Sequence, residues 1–230
     1  MTTVAIIPAR GGSKRIPRKN VRDFCGKPMI AWSIEAAEQS GCFDRIVVST
    51  DDAEIAKIAC AWGAETPFVR PEDLSDDRTG TRPVVCHAIR QLQESGVQPD
   101  LVCMLYATAP FVRPQDLKKG LEVLTASDRA FAFTVASFDY PIQRALRMLP
   151  GGGVEMIYPE HAESRSQDLE DACHDAGQFY WGRTQAFLQD LPLFSHHSIA
   201  IPVPRHRAQD IDTLEDWRRA ELLVRLMESE

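Results

Sequence analysis

Short continuous apolar runs alternate along this chain with stretches whose apolar residues recur every three to four positions. Residues 4–8, 46–49, 66–69 and 101–105 read as short buried strands. Between them, residues 29–39 place Ile30, Ile34 and Ala37 on one helical face, and residues 53–62 do the same with Ile55, Ile58, Ala59 and Trp62. Residues 83–93 carry Val84, Ala88 and Leu92, and residues 114–124 open on Pro114, a position where proline costs no hydrogen bond. This alternation predicts an α/β fold: a mostly parallel sheet covered by helices on both faces.

The pattern breaks after a strand at residues 130–136. Residues 137–177 are irregular, with Pro141, three consecutive glycines from Gly151 to Gly153 and many charges. Their apolar periodicity is too weak for an independent domain. A hairpin is predicted around the glycines, from residues 144–148 and 154–157. Strands at 178–181 and 198–203 and an amphipathic helix at 214–227 complete one domain, 1–230, with an inserted excursion at 137–177. His196 and His197, if part of a strand, face opposite ways and share no metal.

The formal net charge of −7 excludes a general nucleic-acid binder, which would show a basic face, but leaves room for a local anion pocket. Six cysteines with no CxxC spacing read as reduced core residues of a cytoplasmic protein. No apolar stretch approaches the roughly 20 residues needed to span a bilayer, and no signal region precedes the first strand, so no membrane partner is expected.

Against that acidic background, the segment after the first strand stands out: Ile7-Pro8-Ala9-Arg10-Gly11-Gly12-Ser13-Lys14-Arg15-Ile16-Pro17-Arg18-Lys19-Asn20. It lies at the carboxyl edge of the predicted sheet, where open α/β folds bind ligands. Gly11 and Gly12 allow close backbone approach to phosphate oxygens, and Arg10, Lys14 and Lys19 can neutralise a triphosphate. Arg15, Arg18, Arg22 and Lys27 extend the basic region, in which Asp23 is the only acid. Neither GxxxxGK[ST] nor GxGxxG is present, which excludes a P-loop ATPase and disfavours a Rossmann dinucleotide site.

These residues resemble the N-terminal signature of the CMP-sialic acid synthetase family, the cytidylyltransferases of nonulosonic acids. Asp23-Phe24-Cys25-Gly26-Lys27-Pro28-Met29-Ile30, Tyr106-Ala107-Thr108-Ala109-Pro110-Phe111 and His174-Asp175-Ala176-Gly177-Gln178-Phe179-Tyr180-Trp181 extend the resemblance, and within the family they favour the branch acting on pseudaminic acid. The resemblance implies a three-layer α/β/α nucleotide-diphospho-sugar transferase-like fold. It implies transfer of CMP from CTP to the C2 hydroxyl of an acidic nine-carbon sugar, with release of pyrophosphate, assisted by Mg²⁺. It also implies a homodimer in which the excursion completes the neighbour's sugar site.

Residue by residue, the resemblance assigns Arg10, Lys14 and Lys19 to the triphosphate and the chemistry. Ala9, Gly11, Gly12 and Asn20 shape the nucleotide site, and Arg70 and Thr81 lie close to the nucleotide, with Thr79 a second hydroxyl candidate. Tyr106 stands where sialic acid enzymes commonly carry glutamine, which weakens N-acetylneuraminate as substrate and fits a differently substituted sugar. Arg165 and Gln178 are the sugar-site candidates, with Gln143, Arg144, His174 and Asp175 as further polar possibilities. Asp210 and Asp212 match an acidic metal pair; in an extended segment, side chains two apart point the same way and can address one hard cation. The competing role for this segment is capping of the last helix by Asp212 or Thr213. Two alternatives stay open: another nonulosonic acid (legionaminic or N-acetylneuraminic acid), and a non-catalytic nucleotide-binding regulator on the same scaffold.

Overall fold

A computed structural model describes residues 1–228. The first strand, β1 (Thr3–Pro8), is followed by a two-residue ladder, β2 (Asp23–Phe24) and β3 (Lys27–Pro28), and by α1 (Met29–Ser40). Then come β4 (Arg45–Ser49), α2 (Ala53–Ala61), α3 (Thr81–Glu94), β5 (Leu101–Leu105), α4 (Pro114–Thr125) and β6 (Phe131–Ser137). The remainder comprises β7 (Leu146–Met148), β8 (Val154–Met156), β9 (Cys173–Arg183), α5 (Thr184–Leu188), β10 (Ser198–Pro202) and α6 (Leu214–Glu228).

Six strands form the central sheet in the order β10-β6-β9-β5-β1-β4. β1 pairs in parallel with β4 and β5, and β10 with β6, while β9 runs antiparallel between β5 and β6. The sheet is therefore mostly parallel, as the apolar runs predicted. Both of its faces are buried: Ile7, Cys103, Phe179 and Trp181 join one core, whereas Val4, Ile6, Met104 and Tyr180 join the other. Gly120 lets α4 lie close on β9, because a Cβ there would stand 2.5 Å from Cδ1 of Trp181.

Three local expectations change. Residues 66–69 form no strand: β4 makes a single parallel bridge to Glu65, and Pro67, which lacks an N–H, follows two residues later. Cys60 and Cys173 are exposed, so only Cys103 fits the core reading fully; none of the six cysteines forms a disulfide. His196 and His197 lie in the turn before β10, with ring centroids 3.8 Å apart, because they are not held in the alternating geometry of a strand. Phe179, Tyr180 and Trp181, in β9, are buried in the core.

The excursion contains the expected hairpin, β7–β8, turned at Gly151–Gly153, where Leu149 N–H meets the Gly153 carbonyl at 2.8 Å. Gln143 and Arg144 tie the excursion to itself: Gln143 donates to the Glu170 carbonyl at 3.3 Å, and Arg144 donates to the carbonyls of Ser164 and Ala162.

Candidate active site

The basic loop leaves β1 at the carboxyl edge and is tied down at both ends. Ala9 N–H continues the β1–β4 pairing to the Ser49 carbonyl at 3.0 Å, and Asn20 donates from its amide to the Arg10 carbonyl at 2.9 Å. Arg18 sits in the left-handed region at φ 57°, which costs a non-glycine residue about 1–2 kcal/mol. Its side chain turns outward to Asp52 at 2.5 Å and to Glu54. Its neighbour Lys19 lines the cavity and donates to the Ile211 carbonyl at 2.6 Å, with Asp212 at 3.5 Å.

The two loop glycines have different environments. A Cβ on Gly11 would stand 2.6 Å from Oδ2 of Asp52, whereas a Cβ on Gly12 would meet nothing within 4 Å. Asp52 caps α2 by accepting from Glu54 N and Ile55 N, and its carboxyl is held down to a pKa of about 2, chiefly by the Arg18 hydrogen bond. Gly11 is thus small because an anchored carboxylate lies against it. Its N–H donates to Asp51 at 3.0 Å.

Acids from distant positions meet the loop cations. Arg10 pairs with Asp77 at 2.6 Å and also donates to the Asp76 carbonyl at 2.7 Å; Lys14 reaches the same Asp77. Arg15 pairs with Asp212 at 2.8 Å. Arg22 lies over the Trp217 ring, and Lys27 pairs with Glu35 and lies over Trp32, so these last two cations support packing. Asp51, Asp52 and Asp77 are site residues that the sequence reading missed. The signal was present for Asp51 and Asp52, which follow β4 after Thr50 at the same sheet edge.

Arg10, Lys19, Asn20, Arg70, Thr79, Thr81 and Tyr106 converge on one cavity of about 240 Å³, with Ser13 and Thr108 added. Arg70 is only 4% exposed, yet its Nε and Nη2 have no hydrogen-bond partner; Asp51 lies 3.7 Å away. Burial lowers its pKa, the Asp51 charge opposes that shift and Arg10 adds to it. A buried guanidinium with free N–H groups beside a second arginine suits an anion. None of the residues lining this cavity is a carboxylate or an imidazole.

Asp210 and Asp212 flank Ile211, which is fully buried beneath α6, so the two carboxyl groups face the other way. Asp210 is open to solvent on one side, but protein crowding and repulsion from Asp212 raise its pKa. Capping of α6 falls to others: Asp216 accepts from Thr213 N at 2.8 Å, and Thr213 Oγ1 accepts from Asp216 N at 3.2 Å. Asp212 is thereby left for the site. Two adjacent carboxylates, with no third His, Cys, Asp or Glu grouped with them among the described residues, fit a hard cation that completes its shell with water and phosphate.

Other assigned residues are not brought to the cavity. Ala9 is buried in the core, Gly11 and Gly12 are not among the residues that line the cavity, and Lys14 is largely exposed beside Asp77. Gln178 is buried and donates to the Arg207 carbonyl at 2.6 Å. Arg165 is exposed on the excursion, with its carbonyl accepting from Asp168 N at 3.0 Å. His174 stacks edge-on with Phe138, and Asp175 accepts from the Tyr180 hydroxyl.

A cation-lined cavity lies at the carboxyl edge of a mostly parallel α/β sheet, and the chain belongs to the cytidylyltransferase family, a class of nucleotidyltransferases, whose profile matches residues 4–207. It is 46% identical to the pseudaminic acid cytidylyltransferase of Campylobacter jejuni serotype O:2, over 98% of this chain and 97% of that one. It is 32% identical to the CMP-N,N'-diacetyllegionaminic acid synthase of Legionella pneumophila, again over 98% of this chain and 97% of the relative. A solved structure of a CMP:2-keto-3-deoxy-manno-octonic acid synthetase complexed with CTP has a TM-score of 0.71 at 19% identity, covering 99% of this chain and 100% of that one, which shows the shared fold. Among the described residues, no helix is long and apolar enough to cross a membrane.

Proposed function

We propose that this chain transfers CMP from CTP to the C2 hydroxyl of pseudaminic acid, releasing pyrophosphate with the assistance of Mg²⁺. The observation that carries the nucleotide half is the cavity built on Arg10, Lys19 and the unpartnered, buried Arg70. The sugar is proposed from the near full-length similarity to the Campylobacter relative and from Tyr106 at the cavity wall.

In the reaction, the C2 oxygen forms a bond to the α-phosphorus, the bond from that phosphorus to the bridging oxygen breaks, and the hydroxyl proton leaves to solvent. With no carboxylate or imidazole in the lining, the protein contributes positioning and charge stabilisation. Arg10 and Lys19 stabilise charge on the departing pyrophosphate, and Arg70 orients the nucleotide. Lys14 joins them once the triphosphate displaces Asp77. Asp210 and Asp212 would hold Mg²⁺, which screens phosphate charge and acidifies the attacking hydroxyl.

The exposed face of the β7–β8 hairpin supports a homodimer. Leu146, Met148 and Val154 are 55%, 81% and 60% exposed, and cross-strand pairing puts them on one side with Met156. An isolated two-stranded hairpin is marginal in water, so this face calls for a cover.

The test is pyrophosphate release from CTP, Mg²⁺ and pseudaminic acid, with legionaminic and N-acetylneuraminic acids in parallel. Release that is greatest with pseudaminic acid and abolished by EDTA is the expected result. Silence with all three sugars overturns the reading in favour of a non-catalytic nucleotide-binding protein.

A further inference from the structure

Asp77 holds two of the three cations assigned to the triphosphate. One of its carboxylate oxygens takes Arg10 at 2.6 Å, and the other takes Lys14. Arg10 also donates to the Asp76 carbonyl at 2.7 Å. A guanidinium and an ammonium closing on one carboxylate have the chemistry that holds phosphate oxygens. Lys14 first, and then Arg10, keep the Asp77 carboxyl below the usual carboxylate range, so it is ionised at neutral pH.

The segment that delivers Asp77 keeps its own shape. It opens with a short 3₁₀ turn at Glu72–Leu74, and Ser75 Oγ donates to the Pro71 carbonyl at 2.9 Å. Asp76 accepts from Arg78 N–H at 3.0 Å and from Thr79 N–H at 2.7 Å, while Thr79 Oγ1 donates to the Asp73 carbonyl at 3.2 Å. At one end Arg70 N–H is fixed on the Thr50 carbonyl at 2.8 Å, and at the other Thr81 opens α3. Arg70, Thr79 and Thr81 line the nucleotide cavity, so the chain is tied to that cavity on both sides of Asp77.

We propose that Asp77 is an internal competitor for the terminal phosphates, which weakens the hold on pyrophosphate and promotes its release. A ligand that needs Arg10 and Lys14 must displace the carboxylate, and its affinity is reduced in proportion to the fraction of molecules whose cations are free. That factor is the same for CTP and for pyrophosphate, but the consequences differ. CTP is also anchored through its nucleoside. Pyrophosphate, once cut from the nucleotide, has no such anchor, whereas Asp77 stays tethered beside its cations and competes at high effective concentration. CMP lacks the two terminal phosphates and leaves the Asp77 pairs undisturbed. Asp77 is a release-determining residue and takes no part in the chemical step. The inference rests on the proposed use of CTP.

The experiment titrates inorganic pyrophosphate, CTP and CMP separately into wild-type protein and into Asp77→Asn by isothermal titration calorimetry, at one fixed Mg²⁺ concentration. Asp77→Asn keeps the side-chain shape and removes the charge. It is expected to tighten pyrophosphate and CTP by the same factor, about three- to tenfold, the scale of two partly exposed ion pairs, and to leave CMP unchanged. Asp77→Ala, which removes the acceptor oxygens as well, should tighten both at least as much. A merely structural role would do the reverse, because a loosened loop holds pyrophosphate and CTP less well. Unchanged or weaker pyrophosphate binding in either variant, or tightening that extends equally to CMP, overturns the competition while leaving the CTP site intact. Wild-type protein that binds neither CTP nor pyrophosphate overturns the functional reading and the competition together.

Discussion

The loop after β1 and the excursion after β6 both depart from regular α/β structure, and they do so in opposite ways. The loop is irregular but held: Asn20 returns to Arg10, Arg18 is anchored on Asp52, and Lys19 reaches across to Ile211. The excursion is regular in its hairpin yet presents apolar side chains to solvent. Its internal ties from Gln143 and Arg144 end on carbonyls within the same segment. Fixed side chains are what charge stabilisation needs, because donors that need not reorganise stabilise developing charge best. Exposed apolar strands are what association needs.

Lys19→Ala bears on the loop side of this contrast and should have the largest effect. It removes a cavity cation and also the link to the segment carrying Asp210 and Asp212. Turnover is expected to fall by about 10²–10³-fold, the scale of losing one preorganised charge-stabilising group. Steady-state pyrophosphate release measures it, and near-normal kcat would break the assignment of the loop to the triphosphate. A smaller effect is expected from Leu146→Asp with Met148→Asp, which places two charges on the exposed hairpin face. The proposed dimer should weaken by roughly tenfold or more by analytical ultracentrifugation, since desolvating charge at an interface core is costly. An unchanged sedimentation profile would remove the hairpin from the interface.

The same contrast explains what could be read from the chain alone. The β1 loop was legible because its chemistry is contiguous: glycines, cations and the strand end fall within a dozen residues. The acids that meet those cations were not, because Asp52, Asp77 and Asp212 arrive from other elements and a local charge count cannot see them. Strand β5 was read to its residue limits from its apolar run, whereas β9 was seen only as residues 178–181 because Cys173, His174 and Asp175 are not strand-like in composition. Asp210 and Asp212 were readable as a pair, but only the folded chain shows Thr213 and Asp216 taking over the capping role. Strand alternation gave no warning of the bulge in β9, beside which Gln178 is buried and bonded to the Arg207 carbonyl.

The finest test of the held loop is to treat its two adjacent glycines differently. Gly11→Ala drives a methyl to 2.6 Å from Oδ2 of Asp52, and Asp52 cannot swing away without releasing Arg18 and the N–H groups of Glu54 and Ile55. Gly12→Ala meets open space. Were the glycines present only for close approach to phosphate, both substitutions would weaken CTP binding and neither would touch stability. If packing against Asp52 sets the requirement at Gly11, that variant should lose about 1–2 kcal/mol of stability, in the range of an overpacked site combined with a disturbed helix cap. Gly12→Ala should stay within about 0.5 kcal/mol of the parent, as surface substitutions do. Urea denaturation of the two variants side by side measures the difference, and equal midpoints would return Gly11 to a purely ligand-facing role.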